Sequence, residues 1–302
     1  MRVLLSGSHG LIGRALADSL TADGWGVVAL VRPGAGSLDS VAWDPAVDTI
    51  DHHGLEGHGP YDAVVHLAGA GIGDRRWNAD RRREIRRSRV AGTRLLAGAV
   101  ALLDPTPSVF VSASAIGYYG DRGEEELTEE SGAGTGFLAE VCQAWENATR
   151  FAQGAGIRVV IVRTGIVLSP TGGALARQLP LFRLGVGARL GRGSQWVSWI
   201  TLVDEVAAIR RAIDDDTLHG PLNATAPGTV TNRKFTSALG AALRRPAFLT
   251  VPTIALNVAL GSEMARELLL SSQRVRPAAL EASGHRFAYP EIDGALAFLV
   301  GS

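Results

Sequence analysis

The chain has 302 residues, and at roughly 150 residues per domain that predicts two packing units, or one large α/β unit with an appendage. Hydrophobic residues make up 46% of it and charged residues 20%, and its 37 glycines exceed the average share, a composition that excludes disorder and coiled coil. Thirty basic and thirty acidic side chains cancel, so the molecule lacks the overall positive field that non-specific nucleic-acid or anionic-membrane binding requires.

The apolar run within Met1–Gly7 is far shorter than a signal-peptide core, and no later stretch approaches about 18 uninterrupted apolar residues. Neither export nor membrane spanning is expected, and the cytoplasm is the expected compartment. Val3–Ser6 reads as a strand. Gly7-Ser8-His9-Gly10-Leu11-Ile12-Gly13 follows it and opens a helix, Leu11–Ala22, whose Ile12, Leu16 and Leu20 share one face and which Gly24 stops. This is the context a dinucleotide loop needs: Gly7 for a tight turn, Gly10 so that backbone N–H groups approach a pyrophosphate, and Gly13 for close packing of helix on strand.

The next strand, Val27–Arg32, ends in Leu30-Val31-Arg32-Pro33, where an enzyme using NAD places an acid against the ribose hydroxyls; the first acid downstream is Asp39. A guanidinium grips a 2′-phosphate with two parallel hydrogen bonds and a carboxylate repels it, so Arg32 points to NADP(H). His52, His53 and His58 have no cysteine or carboxylate pair at ligand spacing, and no metal is expected. Ala63–Leu67 is another strand, and Asn78–Val100 reads as an amphipathic crossover helix. Nine arginines fall between Arg75 and Arg94, offset by Asp74, Asp80 and Glu84. Without an aromatic platform beyond Trp77, they read as a solvated face with one or two arginines turned to the cofactor, not as a nucleic-acid surface.

Val109–Ser112 and Arg158–Arg163 complete a βαβ rhythm of continuous apolar strands, as a parallel sheet covered on both faces requires. The one cysteine, Cys142, excludes an internal disulfide, suits a reducing compartment and reads as a packing residue. Glycine and proline punctuation after Leu168 sets the expected boundary. Residues 1–168 form an NADP-binding Rossmann domain and 169–302 mainly a smaller mixed substrate lobe, with a segment near 196–225, Trp196–Thr201 included, returning to the main sheet. Phe235–Leu243 and Ser262–Ser271 read as helices of that lobe. Phe182, Arg183, Trp196 and Trp199 either line a cleft between the two units or close the core between them.

The glycine loop, Val65-His66-Leu67-Ala68-Gly69, Ser112-Ala113-Ser114 and Arg163-Thr164-Gly165 resemble an extended short-chain dehydrogenase/reductase. More narrowly, Arg76-Trp77-Asn78, Ser88-Arg89-Val90, Gly117-Tyr118-Tyr119-Gly120, Phe137-Leu138-Ala139-Glu140, Trp145-Glu146 and Ser271-Ser272-Gln273-Arg274-Val275 are similar to the NAD(P)-binding epimerase-family proteins related to nucleoside-diphosphate-sugar epimerases. The resemblance implies a doubly wound parallel sheet with a smaller carboxy-terminal substrate lobe. It also implies a cofactor lying along Gly7–Gly13, Arg32 and Leu67-Ala68, with Glu84, Arg89 and Val167 near the dinucleotide, and it allows a homodimer.

The wider family uses a serine with a Tyr-x-x-x-Lys helix motif, the lysine lowering the tyrosine pKa and holding the ribose. Ser114 matches the serine. The tyrosine position falls on Phe137 or Leu138 and the lysine position on Val141 or Cys142; Lys234 is the only lysine, so no shift of alignment restores the dyad. The nearest phenols are Tyr118 and Tyr119: either donates a proton, or both rings line or buttress the pocket. The expected function is an NADP(H)-dependent oxidoreductase- or epimerase-like enzyme acting on a small carbonyl or alcohol near Ser114. The alternative is a non-catalytic NADPH-binding sensor or partner-binding protein. Sugar-nucleotide epimerisation, which usually works through tightly held NAD and a tyrosine base, fits less well with Arg32 and the absent dyad.

Overall fold

A computed structural model describes residues 1–35 and 39–301 of the chain. Strands β1 (Arg2–Ser6), β2 (Gly26–Val31), β3 (Ser40–Asp44), β4 (Thr49–Ile50), β5 (Ala63–His66), β6 (Val109–Ala115), β7 (Arg158–Thr164) and β8 (Gly220–Ala224) form one eight-stranded sheet in the order β8-β7-β6-β5-β1-β2-β3-β4. Neighbours run parallel except β3 and β4. The chain winds outward from β1 to one edge, then returns to β5 and winds to the other. This doubly wound sheet therefore has its switch point between β1 and β5, where a crevice opens beyond the carboxyl ends of the strands.

Four helices position the site: α1 (Leu11–Ala22), α2 (Ala79–Val100), α3 (Phe137–Asn147) and α4 (Leu202–Asp214). Leu16 and Leu20 of α1 pack with Ile209 of α4 against Val3, Leu5, Val65 and Val111 on one face of the sheet. Leu96, Ala97 and Val100 of α2 cover Leu4, Val64 and Phe110 on the other. Burial of both faces is why these strands read as unbroken apolar runs. The Asn78 side chain accepts from Arg81 N–H at 2.7 Å and starts α2, with Asp80 in the first turn favouring the positive helix end. No helix among the described residues is long and apolar enough to cross a membrane.

Three regions differ from the sequence-based expectation. β3 and β4 add an edge that five mixed residues and a two-residue strand signal only weakly. Trp196–Thr201 does not enter the main sheet: Trp199–Thr201 pairs with Ile166–Ser169, because the chain bends after β7 and Trp199 is held in a separate core with Phe182, Phe235, Leu239 and Ile292. Gly220–Ala224 is the segment that joins the sheet, beside β7. The helix expected over Ser262–Ser271 starts at Ser262–Ala265 and passes into a π-helical turn at Arg266–Leu270.

At the start of α4 the Asp204 carboxylate accepts from Thr201 Oγ1 at 2.9 Å and from the amides of Ala288 (2.6 Å) and Tyr289 (3.1 Å), tying the carboxy-terminal segment to the helix. Glu205 beside it is wholly buried. Its Oε1 accepts from Thr164 Oγ1 at 2.8 Å, Oε2 has no partner among the described residues, and burial pushes its pKa up to about 8. A free glutamic acid titrates near 4.5, so the folded chain retains a proton that the unfolded chain releases. The associated stability is fully present below that value and is lost as pH rises through about 8. Glu205→Gln removes this dependence. In thermal unfolding the melting temperature of the variant should rise relative to wild type between about pH 5 and about pH 8.5, and a constant difference would contradict the protonated carboxyl.

Candidate functional site

Gly7 ends β1 with φ +77°, a left-handed conformation open to glycine, and its carbonyl accepts from Gly10 N–H at 2.9 Å. A methyl group at Gly13 would stand 2.1 Å from that carbonyl oxygen, so only glycine lets α1 begin this close to β1. Gly10 starts the helix without a side-chain cap, which leaves first-turn N–H groups and the positive helix end open to an anion.

Ser6 fixes the opposite wall. Its oxygen accepts from the N–H groups of Leu67 (3.2 Å) and Ala68 (3.3 Å) and shares a 2.6 Å bond with His66 Nδ1. Burial pushes the His66 pKa down to about 3, so the ring is neutral. A cleft of about 1200 Å³ runs past these turns, bordered by Gly7, His9, Gly10, Arg32, Ala68 and Glu84. Ile12, Leu67 and Val167 pack on one apolar cluster, Leu11 lies against Gly172, and the Ser8 hydroxyl is 3.4 Å from the His9 ring.

Arg32 borders the cleft, largely exposed and ion-paired with Asp44. The sequence reading missed this acid because it lies on another strand. Val31 pairs with Ala42, so Arg32 and Asp44 leave adjacent parallel strands side by side. Glu84 on α2 accepts from Arg81 (2.7 Å) and Arg75 (3.2 Å), and the Arg81 hydrogen bond holds its carboxyl below the usual range. Arg89 donates to the carbonyls of Ala70 (2.9 Å) and Ile85 (3.3 Å) and lies over the Trp145 ring. It pairs with no carboxylate among the described residues, and burial pulls its pKa down. A part-desolvated cation without an anion of its own suits an anionic ligand.

At the carboxyl end of β6, Ser114 Oγ donates to Glu146 Oε1 at 2.7 Å, and Arg163 grips the same carboxylate through Nε and Nη2, both at 2.9 Å. Arg163 Nη1 donates to the Tyr119 hydroxyl at 3.0 Å, which in turn donates to Asn223 Oδ1 at 2.7 Å. The guanidinium also sits 3.5 Å from the centre of the Tyr118 ring. Tyr119 has 0% exposure, burial raises its pKa, and its hydroxyl is tied into this network. Tyr118 is half-buried, its ring spent on Arg163 and Tyr119.

The positions where the sequence reading placed the family's tyrosine and lysine are apolar. Phe137 meets Trp77 edge-on, Leu138 lies against Gly117, and Cys142 is buried with its thiol pushed up to about 12 by desolvation. Glu267 from the carboxy-terminal part accepts from the amides of Phe137 (3.0 Å) and Leu138 (2.8 Å), and a second hollow of about 430 Å³ lies there between Gly117, Leu138, Arg266 and Gln273. Of the two alternatives for the aromatic residues, Phe182 and Trp199 close a core and Arg183 is exposed, while Trp196, whose indole N–H donates to Glu124 at 2.7 Å, lines a separate hollow with Thr229 and Arg274.

Residues 3–223 match the NAD dependent epimerase/dehydratase family, and residues 251–299 match a domain of unknown function, DUF1731. The epimerase family protein MT2273 of Mycobacterium tuberculosis is 45% identical over 296 residues, covering 98% of this chain and 96% of its own. The crystal structure of human epimerase family protein SDR39U1 (isoform2) with NADPH has a TM-score of 0.92 at 33% identity, with 100% of both chains covered. That of a nucleoside-diphosphate sugar epimerase from Corynebacterium glutamicum has a TM-score of 0.82 at 39% identity, covering 100% of this chain and 58% of the other.

Glu146→Ala strands the Arg163 charge inside the network and should lower the unfolding free energy by about 3–5 kcal/mol in urea titrations. Ser114→Ala removes one hydrogen bond and should cost about 1 kcal/mol. Equal losses would show that the ion pair does not hold this corner together.

Proposed function

The chain belongs to the NAD dependent epimerase/dehydratase family, and on that footing we propose that it is a cytoplasmic NADP(H)-dependent enzyme that oxidises or reduces a small alcohol or carbonyl compound. The observation that carries this reading is the cleft at the switch point, whose charges and backbone fit a phosphorylated dinucleotide. The uncapped start of α1 suits the pyrophosphate, Gly13 keeps that helix end close, and Arg89, packed behind the cleft-lining Gly69, is a cation without a carboxylate partner among the described residues. The NADPH in the human relative's structure, matched over the full length of both chains, supports the choice of cofactor.

Bound in that cleft, the nicotinamide would supply hydride exchange with a substrate carbon. The chain's own part is to orient the substrate and move a proton. Ser114 commits its proton to Glu146, so its oxygen presents lone pairs and accepts a hydrogen bond from a substrate hydroxyl. As that hydroxyl becomes a carbonyl, its proton passes to Ser114 while the Ser114 proton passes to Glu146, and the reverse path serves reduction. The hollow between Gly117, Leu138, Arg266 and Gln273 adjoins the Gly117–Tyr119 turn and is of a size for a small polar substrate.

A second reading, a non-catalytic NADPH-binding sensor, draws on the buried Tyr119 hydroxyl and the apolar residues at the dyad positions. One experiment separates the two. Protein preloaded with NADPH is mixed with a small-molecule extract of its own cells and the near-ultraviolet absorbance of NADPH is followed. The enzyme reading expects oxidation that needs the extract and falls by about a hundredfold or more in Ser114→Ala. Tight NADPH binding without oxidation would overturn it in favour of the sensor.

A further inference from the structure

Arg32 and Asp44 meet where β2 and β3 end, and their charges cancel. Asp44 Oδ1 also accepts from Ala46 N–H at 2.9 Å, which folds Pro45 and Ala46 into a tight turn along the cleft wall. From the other wall α2 presents three exposed arginines to the same space. Arg83 is paired with Asp80. Arg86 makes no hydrogen bond or ion pair among the described residues. Arg87 reaches across to donate to the Ala46 carbonyl, and it has no carboxylate partner among the described residues. Arg32 and Arg87 are thus fastened to one turn from two sides, the first neutralised and the second still carrying its charge.

This difference decides which of them gains from an added anion. Arg32 could add a phosphate through the N–H groups that Asp44 leaves free, but beside a carboxylate that already cancels its charge. Arg87 would exchange a neutral carbonyl for a phosphate, which adds charge–charge attraction and a bidentate geometry that a single carbonyl does not offer. Asp44 acts in the opposite sense: its oxygens repel a 2′-phosphate and accept from a 2′-hydroxyl. We propose that Arg87, anchored on the Asp44–Ala46 turn, is the residue that selects the 2′-phosphate of NADP(H), and that Asp44 opposes this selection by occupying Arg32. The proposal rests on the reading of the cleft as an NADP(H) site.

The test compares dissociation constants of NADPH and NADH, read by the fluorescence of the reduced nicotinamide, for wild type, Arg87→Ala, Arg86→Ala and Asp44→Asn. Arg87 is exposed, so its removal leaves the core intact, and unchanged melting temperatures verify this. Arg87→Ala should weaken NADPH about tenfold or more while NADH stays within about twofold. Asp44→Asn should tighten NADPH and weaken NADH, and Arg86→Ala should leave the preference standing. If wild type prefers NADPH and Arg87→Ala keeps the whole preference, the role of Arg87 is overturned while the cofactor reading stands. A wild type without any preference for NADPH would overturn both.

Discussion

The nucleotide half of the molecule depends on one close approach. With 2.1 Å between the Gly7 carbonyl oxygen and the place where a Cβ of residue 13 would lie, α1 cannot begin where it does with any side chain at that position. The contact sets the direction of the helix and brings its free N–H groups to the switch point of the sheet. The other wall is fixed from the same strand, because the Ser6 hydroxyl at the end of β1 holds the Leu67 and Ala68 amides. One strand end therefore positions both sides of the crevice, and the buried, neutral His66 ring is bonded to the same hydroxyl.

The substrate side is organised differently. Where the sequence reading placed the wider family's phenol and ammonium, this chain has Phe137 or Leu138 and Val141 or Cys142, and Ser114 meets Glu146 one turn further along the same helix. Glu146 and Arg163 form a buried pair that compensates its own charge and draws in Tyr119 and Asn223. Such a pair adds little net stability over an apolar core, but its hydrogen bonds hold each member in a single orientation. Ser114 is held with its proton on Glu146, which is the property the proposed chemistry uses.

Much of this was legible in the sequence where a residue's neighbours along the chain decide its role. The strand-loop-helix context of Gly7, Gly10 and Gly13 is local, and so are the apolar runs of β1, β2, β5, β6 and β7, and all of them were readable. What escaped depends on register and on pairs distant in sequence. Asp44 meets Arg32 only because β3 pairs beside β2 in one register, and Arg163 meets Glu146 seventeen positions away across a helix-sheet contact. Tyr119 read as either a proton donor or a buttress because its sequence says nothing about Asn223, a hundred and four positions later, whose Oδ1 accepts from its hydroxyl. Trp196–Thr201 was misplaced for a related reason: its β-branched and aromatic residues suit a strand, but its partner is the bent continuation of β7 rather than the sheet itself.

Amide hydrogen exchange of the protein with and without NADPH tests the placement of the cofactor most directly, since it reads the backbone groups that would face the pyrophosphate. Protection should concentrate at Gly10–Gly13 and at Leu67–Ala70, with the core of the carboxy-terminal part around Phe235 and Ile292 unaffected. Protection confined to that carboxy-terminal part, or none at a saturating concentration of NADPH, would contradict the assignment of the switch-point cleft.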